Sequence, residues 1–173
     1  MGQRKALYPM IVIADAGPIL HLYWVDAHLW ALPPQEIAVV EAVWAEVNAY
    51  APDALADNRF QRIKTPLPLS PLLADKRLHT GEATSLSYAL TQSGESLLIL
   101  SDDQRARQAC RVLSLPYIGS IGLIVEAYRA GLASKEAAEA ALRGLPEQGR
   151  LYVKPSVINA ALASLEPGVK GNP

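Results

Sequence analysis

Short apolar segments alternate with longer segments of helical periodicity, and this alternation restricts the fold more than any other feature of the sequence. It predicts strands at residues 10–14, 36–39, 97–100 and 116–118. Between them, apolar residues recur every three or four positions, which is the period of a helix packed on one face. Strands joined by helices form parallel sheets that are covered on both faces. We therefore predict an α/β fold with a mostly parallel central sheet.

The helical patterns continue beyond the last predicted strand. We predict helices at residues 18–24, 26–31, 40–50, 81–92, 103–113, 121–130, 134–143 and 155–165. The three prolines at residues 65–71 exclude a helix there and predict an extended connector. We accordingly predict an α/β domain at residues 1–133, a helical C-terminal extension at 134–166 and a disordered tail at 167–173.

Composition excludes several classes of protein. The 173 residues include 16 Lys and Arg against 17 Asp and Glu, so the chain lacks the large basic excess of a general polyanion binder, although a local basic groove is still allowed. The longest unbroken apolar run, Met10–Ala14, has five residues, whereas a membrane-spanning helix needs about 20. Cys110 is the single cysteine, which excludes an internal disulfide and predicts a reducing, cytoplasmic setting.

Acidic residues follow two of the predicted strands. Asp15 comes directly after the first strand, and Asp102 and Asp103 follow the strand at 97–100. Ligands of parallel α/β sheets collect outside the carboxyl ends of the strands, so these carboxylates converge if the two strands are neighbours. Their mutual repulsion then calls for a cation, and Mg2+ or Mn2+ suits oxygen ligands. Alternatively, each of these aspartates simply caps the helix that follows it.

Two further glutamates are candidates for the same cluster. Glu82 lies at the edge of the apolar face of the helix at 81–92, although the helix dipole alone would also favour an acid in the first turn. Glu41 and Glu46 flank the apolar stripe of the helix at 40–50 on opposite sides. Periodicity does not decide between these two.

Other chemistries lack their motifs. No Gly-x-Gly-x-x-Gly follows a strand and no Gly-Lys-Ser/Thr loop is present, which removes the main support for dinucleotide and P-loop nucleotide sites. The three histidines show no zinc-binding spacing with one another or with Cys110. An aspartate-nucleophile phosphatase would need a second Asp two positions after the first, and Gly17 stands there.

Four stretches of the chain resemble the motifs of PIN domains, in particular a prokaryotic PIN-like group. That group has a strand followed by Asp-x-Ser-Pro-Leu-Ile, then Gly-Glu-Ala-Glu-Ala, Leu-Ile-Asp-Asp-x-x-Ala-Arg and Gly-Thr-x-Gly. The corresponding stretches, in the same order and spacing, are Ile13–Leu20, Gly81–Ser85, Leu100–Arg107 and Gly119–Gly122. The resemblance covers about residues 10–165 and implies a PIN-like three-layer α/β/α sandwich.

The resemblance also implies an activity. PIN domains of this kind are Mg2+- or Mn2+-dependent endoribonucleases, many of them toxins of toxin-antitoxin pairs, so it implies an RNA substrate, a small antitoxin protein as partner and a homodimer. Glu46 is preferred to Glu41 because Val43–Val47 corresponds to the family's valine-x-x-glutamate helix. The implied catalytic residues are Asp15, Glu46, Glu82 and Asp103, and the implied metal ligands are Asp15, Glu82, Asp103 and Asp102.

The chain departs from the family pattern at Gly17, where the family usually has Ser or Thr. Ser101 and Ser120 are candidates to supply that hydroxyl near the substrate. Arg105, Arg107 and Arg111 lie on the polar side of the helix at 103–113 and are candidates to bind RNA phosphates, although a solvated helix face has the same pattern. The missing hydroxyl favours an alternative function, a catalytically inactive PIN-like module for binding or assembly.

Overall fold

The structure is a computed structural model that describes residues 11–64, 68–92 and 96–166. Met10 of the first predicted strand, residues 65–67 of the predicted connector and the predicted tail at 167–173 lie outside the described residues. The end of the predicted connector differs from the prediction, because Ser70 caps and Pro71 begins a short 3-10 helix, Pro71–Leu73, where the missing N–H of a first-position proline costs nothing. The Ser70 hydroxyl accepts a hydrogen bond from the Leu72 N–H and so caps that helix.

In the described residues the sheet has five strands, all parallel, in the order β3-β2-β1-β4-β5. Strand β1 is central, with β2 on one side and β4 on the other. The register pairs Ile13 with Ala38 of β2 and with Ile99 of β4, and it pairs Ala14 with Leu100. The carboxyl ends of β1 and β4 are therefore adjacent. The strands are β1 (Ile11–Ala14), β2 (Ile37–Val40), β3 (Phe60–Ile63), β4 (Leu97–Leu100) and β5 (Tyr117–Ile118).

Eight α-helices are found in the described part of the chain. They lie close to the positions predicted from periodicity, and a second 3-10 helix, Pro52–Leu55, follows the third of them. This parallel sheet with its helices confirms the predicted PIN-like α/β class. The helices are α1 (Ala16–Trp24), α2 (His28–Ala31), α3 (Glu41–Tyr50), α4 (Thr80–Thr91), α5 (Gln104–Val112), α6 (Ser120–Arg129), α7 (Lys135–Gly144) and α8 (Pro155–Ala163).

Strand β3 was not predicted from the sequence. It forms an edge of the sheet and pairs only with β2, with Ile37 opposite Phe60. Phe60 is buried, but Gln61 and Arg62 are exposed. Polar and charged residues are common on edge strands because they discourage pairing with other chains. Gln61 and Arg62 also interrupt the apolar sequence of β3. The other strands were predicted from short apolar segments, so β3 could not be predicted in the same way.

The chain divides into two compact units. The first contains the described residues up to Ala16 together with Pro33–Ile118, and the second contains Gly17–Leu32 and the described residues from Gly119 onward. The first unit holds the whole sheet, with a core that includes Ile13, Leu86 and Ile99. In the second, α6 packs against α7 and α8. The predicted domain boundary at residue 133 stays a prediction.

No helix within the described ranges is long and apolar enough to cross a membrane.

Candidate active site

The carboxyl ends of β1 and β4 place Asp15 beside Ser101. The backbone N–H of Asp15 donates to the Leu100 carbonyl at 2.9 Å, which extends the pairing of the two strands by one residue. The Asp15 side chain is 8% exposed. Its Oδ1 accepts a hydrogen bond from the Ala16 N–H at 2.9 Å, and its Oδ2 accepts one from the Ser101 hydroxyl at 3.3 Å.

The pKa of Asp15 is raised to about 7, chiefly by burial and to a smaller extent by the nearby charges of Glu82 and Glu46. The hydrogen bonds from Ala16 and Ser101 oppose this rise without cancelling it. A carboxylate that is both buried and close to other acids is unfavourable in its ionised form unless a positive charge compensates it.

Glu82 lies in the first turn of α4. Its Oε2 accepts a hydrogen bond from the backbone N–H of His79 at 2.9 Å, as in a capping box. The side chain is 8% exposed. Burial raises the pKa of Glu82, and the negative charges of Asp103 and Glu46 add to that rise. Glu82 therefore stabilises the start of α4 and is also within electrostatic range of the other acids.

Asp103 is the N-cap of α5, as the capping alternative predicted. Its Oδ1 accepts hydrogen bonds from the N–H groups of Arg105 and Ala106, at 2.7 and 2.8 Å. The Asp103 N–H in turn donates to the Ser101 hydroxyl oxygen at 3.3 Å. Because this hydroxyl also bonds Asp15, Ser101 links the turn after β1 to the turn after β4.

The structure separates the two glutamates of α3. A Cβ atom built on Gly81 would lie 3.7 Å from Glu46 Oε2 and 3.8 Å from Asp15 Oδ1, so both carboxylates lie close to Gly81. Glu41 instead accepts hydrogen bonds from Arg62 of β3, one of them from Nε at 2.8 Å. That guanidinium holds the pKa of Glu41 below its usual value.

Asp15, Glu46, Glu82 and Asp103 thus form one electrostatic cluster. In this cluster Glu82 interacts with Asp103, with Glu46 and with Asp15, and Glu46 also interacts with Asp15. Asp102 is half-buried between Ser101 and Asp103. Among the residues that the structure describes, no group of three or more His, Cys, Asp or Glu side chains is positioned to hold a metal ion. The chemistry of the cluster nevertheless fits a hard divalent cation, because its donors are carboxylate oxygens.

The residues predicted to contact substrate differ in their accessibility. Ser101 is 1% exposed, and Ser120, which belongs to the second unit, is fully buried. Arg105 and Arg111 are exposed, whereas Arg107 is half-buried. Arg111 donates from Nε to the Tyr117 hydroxyl at 2.7 Å and lies over the Tyr117 ring.

In the sequence, Gly81 is recognisable only as the first residue of the Gly81–Ser85 motif. A glycine in the first turn of a helix costs up to about 1 kcal/mol relative to alanine, and that unfavourable choice was the available signal that the position needs space. The tight approach of α3 is a second reason for it, because a Cβ at residue 81 would lie 3.0 Å from Val43 Cγ2.

Carboxylates near the carboxyl ends of the central strands stand where parallel α/β sheets bind their ligands. A family model described as PIN domain matches residues 11–167. The chain therefore belongs to the PIN domain family, whose fold is in general a nuclease fold. The comparisons with curated proteins and with solved structures found no match.

Proposed function

We propose that the protein is a metal-dependent endoribonuclease that hydrolyses RNA phosphodiesters with Mg2+ or Mn2+. The observation that carries this proposal is the electrostatic clustering of four acids, Asp15, Glu46, Glu82 and Asp103. Such a cluster is costly without a cation, and membership of the PIN family gives it a known type of chemistry.

In this proposal the carboxylates have different roles. Asp15, Glu82 and Asp103 hold the cation, with Asp102 as a further ligand. A bound Mg2+ or Mn2+ supplies a polarised phosphoryl oxygen and an activated water. Glu46 is exposed, and both its Oε2 and Asp15 Oδ1 lie close to Gly81. We therefore assign Glu46 the role of general base, which takes the proton of the attacking water. Ser101 orients Asp15 through its hydroxyl. At 1% exposure, Ser101 is too buried to contact RNA itself.

The arginines of α5 provide the positive charge that RNA binding requires. Arg105, Arg107 and Arg111 are our candidates, because guanidinium groups bind phosphate oxygens through paired N–H donors. The cellular role we propose is that of the toxin of a toxin-antitoxin pair, acting in the cytoplasm as a homodimer and neutralised by a small antitoxin protein. The likeness to the toxin-type PIN domains supports this role.

The proposed activity is tested by incubating the purified protein with single-stranded and structured RNA, with and without Mn2+. We expect internal cleavage that requires the metal and falls by at least about 100-fold in Asp15→Asn, as expected for a group on which the site depends. Glu126→Gln removes an exposed acid that pairs with Arg129, and we expect it to cleave RNA normally. Intact RNA in the presence of Mn2+, or unchanged cleavage by Asp15→Asn, would contradict the proposal.

A second candidate function is a PIN-like module that binds without cleaving. Two observations favour it, namely Gly17 in place of the usual hydroxyl residue and the lack of a ready-made group of three metal-binding side chains in the described part of the chain. RNA binding without metal-dependent cleavage, or a folded protein with neither activity, is the result that this alternative predicts.

A further inference from the structure

The arginines of the first unit differ in whether their charge is neutralised within the chain. Arg59 forms an ion pair with Asp57, and Arg62 forms one with Glu41. Arg77 and Arg105 form no ion pair with an acid among the described residues. An exposed guanidinium without an acidic partner keeps its full charge and most of its donors for a ligand.

Arg77 and Arg105 are in direct contact. The Arg105 guanidinium donates from Nη1 to the backbone carbonyl of Arg77 at 3.1 Å. Arg77 precedes by two residues the His79 N–H that binds Glu82, and Arg105 follows Asp103 by two residues. The contact therefore joins the two segments that carry Glu82 and Asp103.

The backbone at Arg77 is in the left-handed region, with a φ of 52°. Glycine and asparagine adopt this region far more readily than a long side chain such as arginine. Asp26, Ser114 and Arg150 adopt the same region, so the conformation by itself does not mark a functional residue. Turn geometry alone would be served better by glycine, so the turn does not explain the arginine side chain.

We infer that Arg77 and Arg105 form one phosphate-binding pair that anchors RNA next to the acidic cluster. This inference rests on the proposed function and adds Arg77 to its substrate-binding residues. The Arg77 carbonyl fixes one edge of the Arg105 guanidinium, and the remaining donors of both side chains bind the oxygens of a backbone phosphate. The pair binds the nucleic acid backbone and reads no base.

The test is Arg77→Gly, which removes the guanidinium, relieves the left-handed backbone and keeps the carbonyl that holds Arg105. We expect the melting temperature to stay the same or rise. We expect RNA to bind roughly three- to tenfold more weakly, the size of one exposed charge-assisted contact. The plot of log affinity against log salt should become shallower by about 0.7, the value for one phosphate contact on a single strand.

Binding is measured by fluorescence anisotropy of a labelled single-stranded RNA in EDTA, and KM and kcat are measured with Mn2+. We expect KM to rise in Arg77→Gly while kcat is unchanged. Arg105→Gln should show the same loss, and the double variant should lose less than the product of the two, because both residues serve one phosphate. Arg129→Gln changes the net charge equally but removes an arginine paired with Glu126, and we expect it to bind as the wild type does.

Unchanged affinity, salt dependence and KM in Arg77→Gly would overturn the inference while leaving the proposed nuclease intact. An equal loss in Arg129→Gln would also overturn it, because net charge would then explain the effect. A wild-type protein that neither binds nor cleaves RNA would overturn the proposed function, and the inference with it.

Discussion

At the residue scale, Asp15 is the residue with the strongest conflict between burial and charge. Its side chain is 8% exposed, its pKa is raised to about 7, and two other acids contribute to that rise. Strongly perturbed carboxyl groups in clusters of this kind are concentrated at functional sites. The same property has a consequence for stability that is independent of any reaction.

We predict that Asp15→Asn stabilises the metal-free protein at pH 8. The folded-state pKa of about 7 lies above the ordinary aspartate value of 3.8, so the folded protein holds the proton more tightly than the unfolded chain does. The contribution of Asp15 to the free energy of unfolding therefore falls as pH rises from about 4 to about 7 and stays low above that. Three pKa units correspond to about 4 kcal/mol, and we expect a gain of a few kcal/mol.

Urea unfolding in EDTA at pH 5 and pH 8 checks this prediction. The advantage of Asp15→Asn over the wild type should be larger at pH 8 than at pH 5. The Glu126→Gln protein should follow the wild type at both values, since that residue is exposed. An Asp15→Asn protein that is no more stable than the wild type at pH 8 would show that the Asp15 carboxylate is better compensated than its burial indicates.

Some of these residues were predictable from the sequence, and others depended on contacts between distant segments. Asp15 and Asp103 follow apolar strands, so their location at the carboxyl end of the sheet could be predicted from the strand pattern. The choice between Glu41 and Glu46 could not, because both flank the same helical stripe. The deciding contact comes from Arg62, which lies on the one strand that the apolar pattern missed.

At the element scale, the start of α5 combines a structural and a proposed chemical role in Asp103. One carboxylate oxygen receives both capping hydrogen bonds. The helix therefore needs only a side-chain acceptor at this position, whereas cation binding needs the negative charge. Asparagine provides the first without the second, which allows the two roles to be separated.

We predict that Asp103→Ala lowers the free energy of unfolding by about 1 kcal/mol, because the cap is lost. Asp103→Asn should stay close to the wild type in thermal unfolding, since asparagine caps as well as aspartate does. Both variants should lose RNA cleavage. An Asp103→Asn protein that keeps full cleavage would restrict this residue to the capping role.

The positions of the elements were more predictable than their contacts. Helices α3 to α8 each carry an apolar stripe or a clear N-terminal residue, and their observed limits lie within about two residues of those predicted. The 3-10 helices were not predicted, since a single short turn has no periodicity to detect. The link from Arg105 to Arg77 joins residues 28 positions apart, and no local pattern specifies it.

At the scale of the whole molecule, the net charge of −1 conceals an uneven distribution. Four acids interact electrostatically near the carboxyl end of the sheet, and the exposed Arg105 guanidinium donates to the backbone carbonyl of the exposed Arg77. The PIN family match extends over residues 11–167 and so includes segments of both compact units. The acidic cluster itself lies entirely within the first unit.

The most direct test of the account is calorimetric titration of the 173-residue chain with Mn2+. The account predicts saturable binding by the wild type and by Glu126→Gln, with affinity weakened by at least about 100-fold in Asp15→Asn and in Asp103→Asn. Thermal unfolding of each variant in EDTA confirms that the proteins compared are folded. The absence of Mn2+ binding to the folded wild type, or equal affinity in Asp15→Asn, would contradict the account and favour the non-cleaving module.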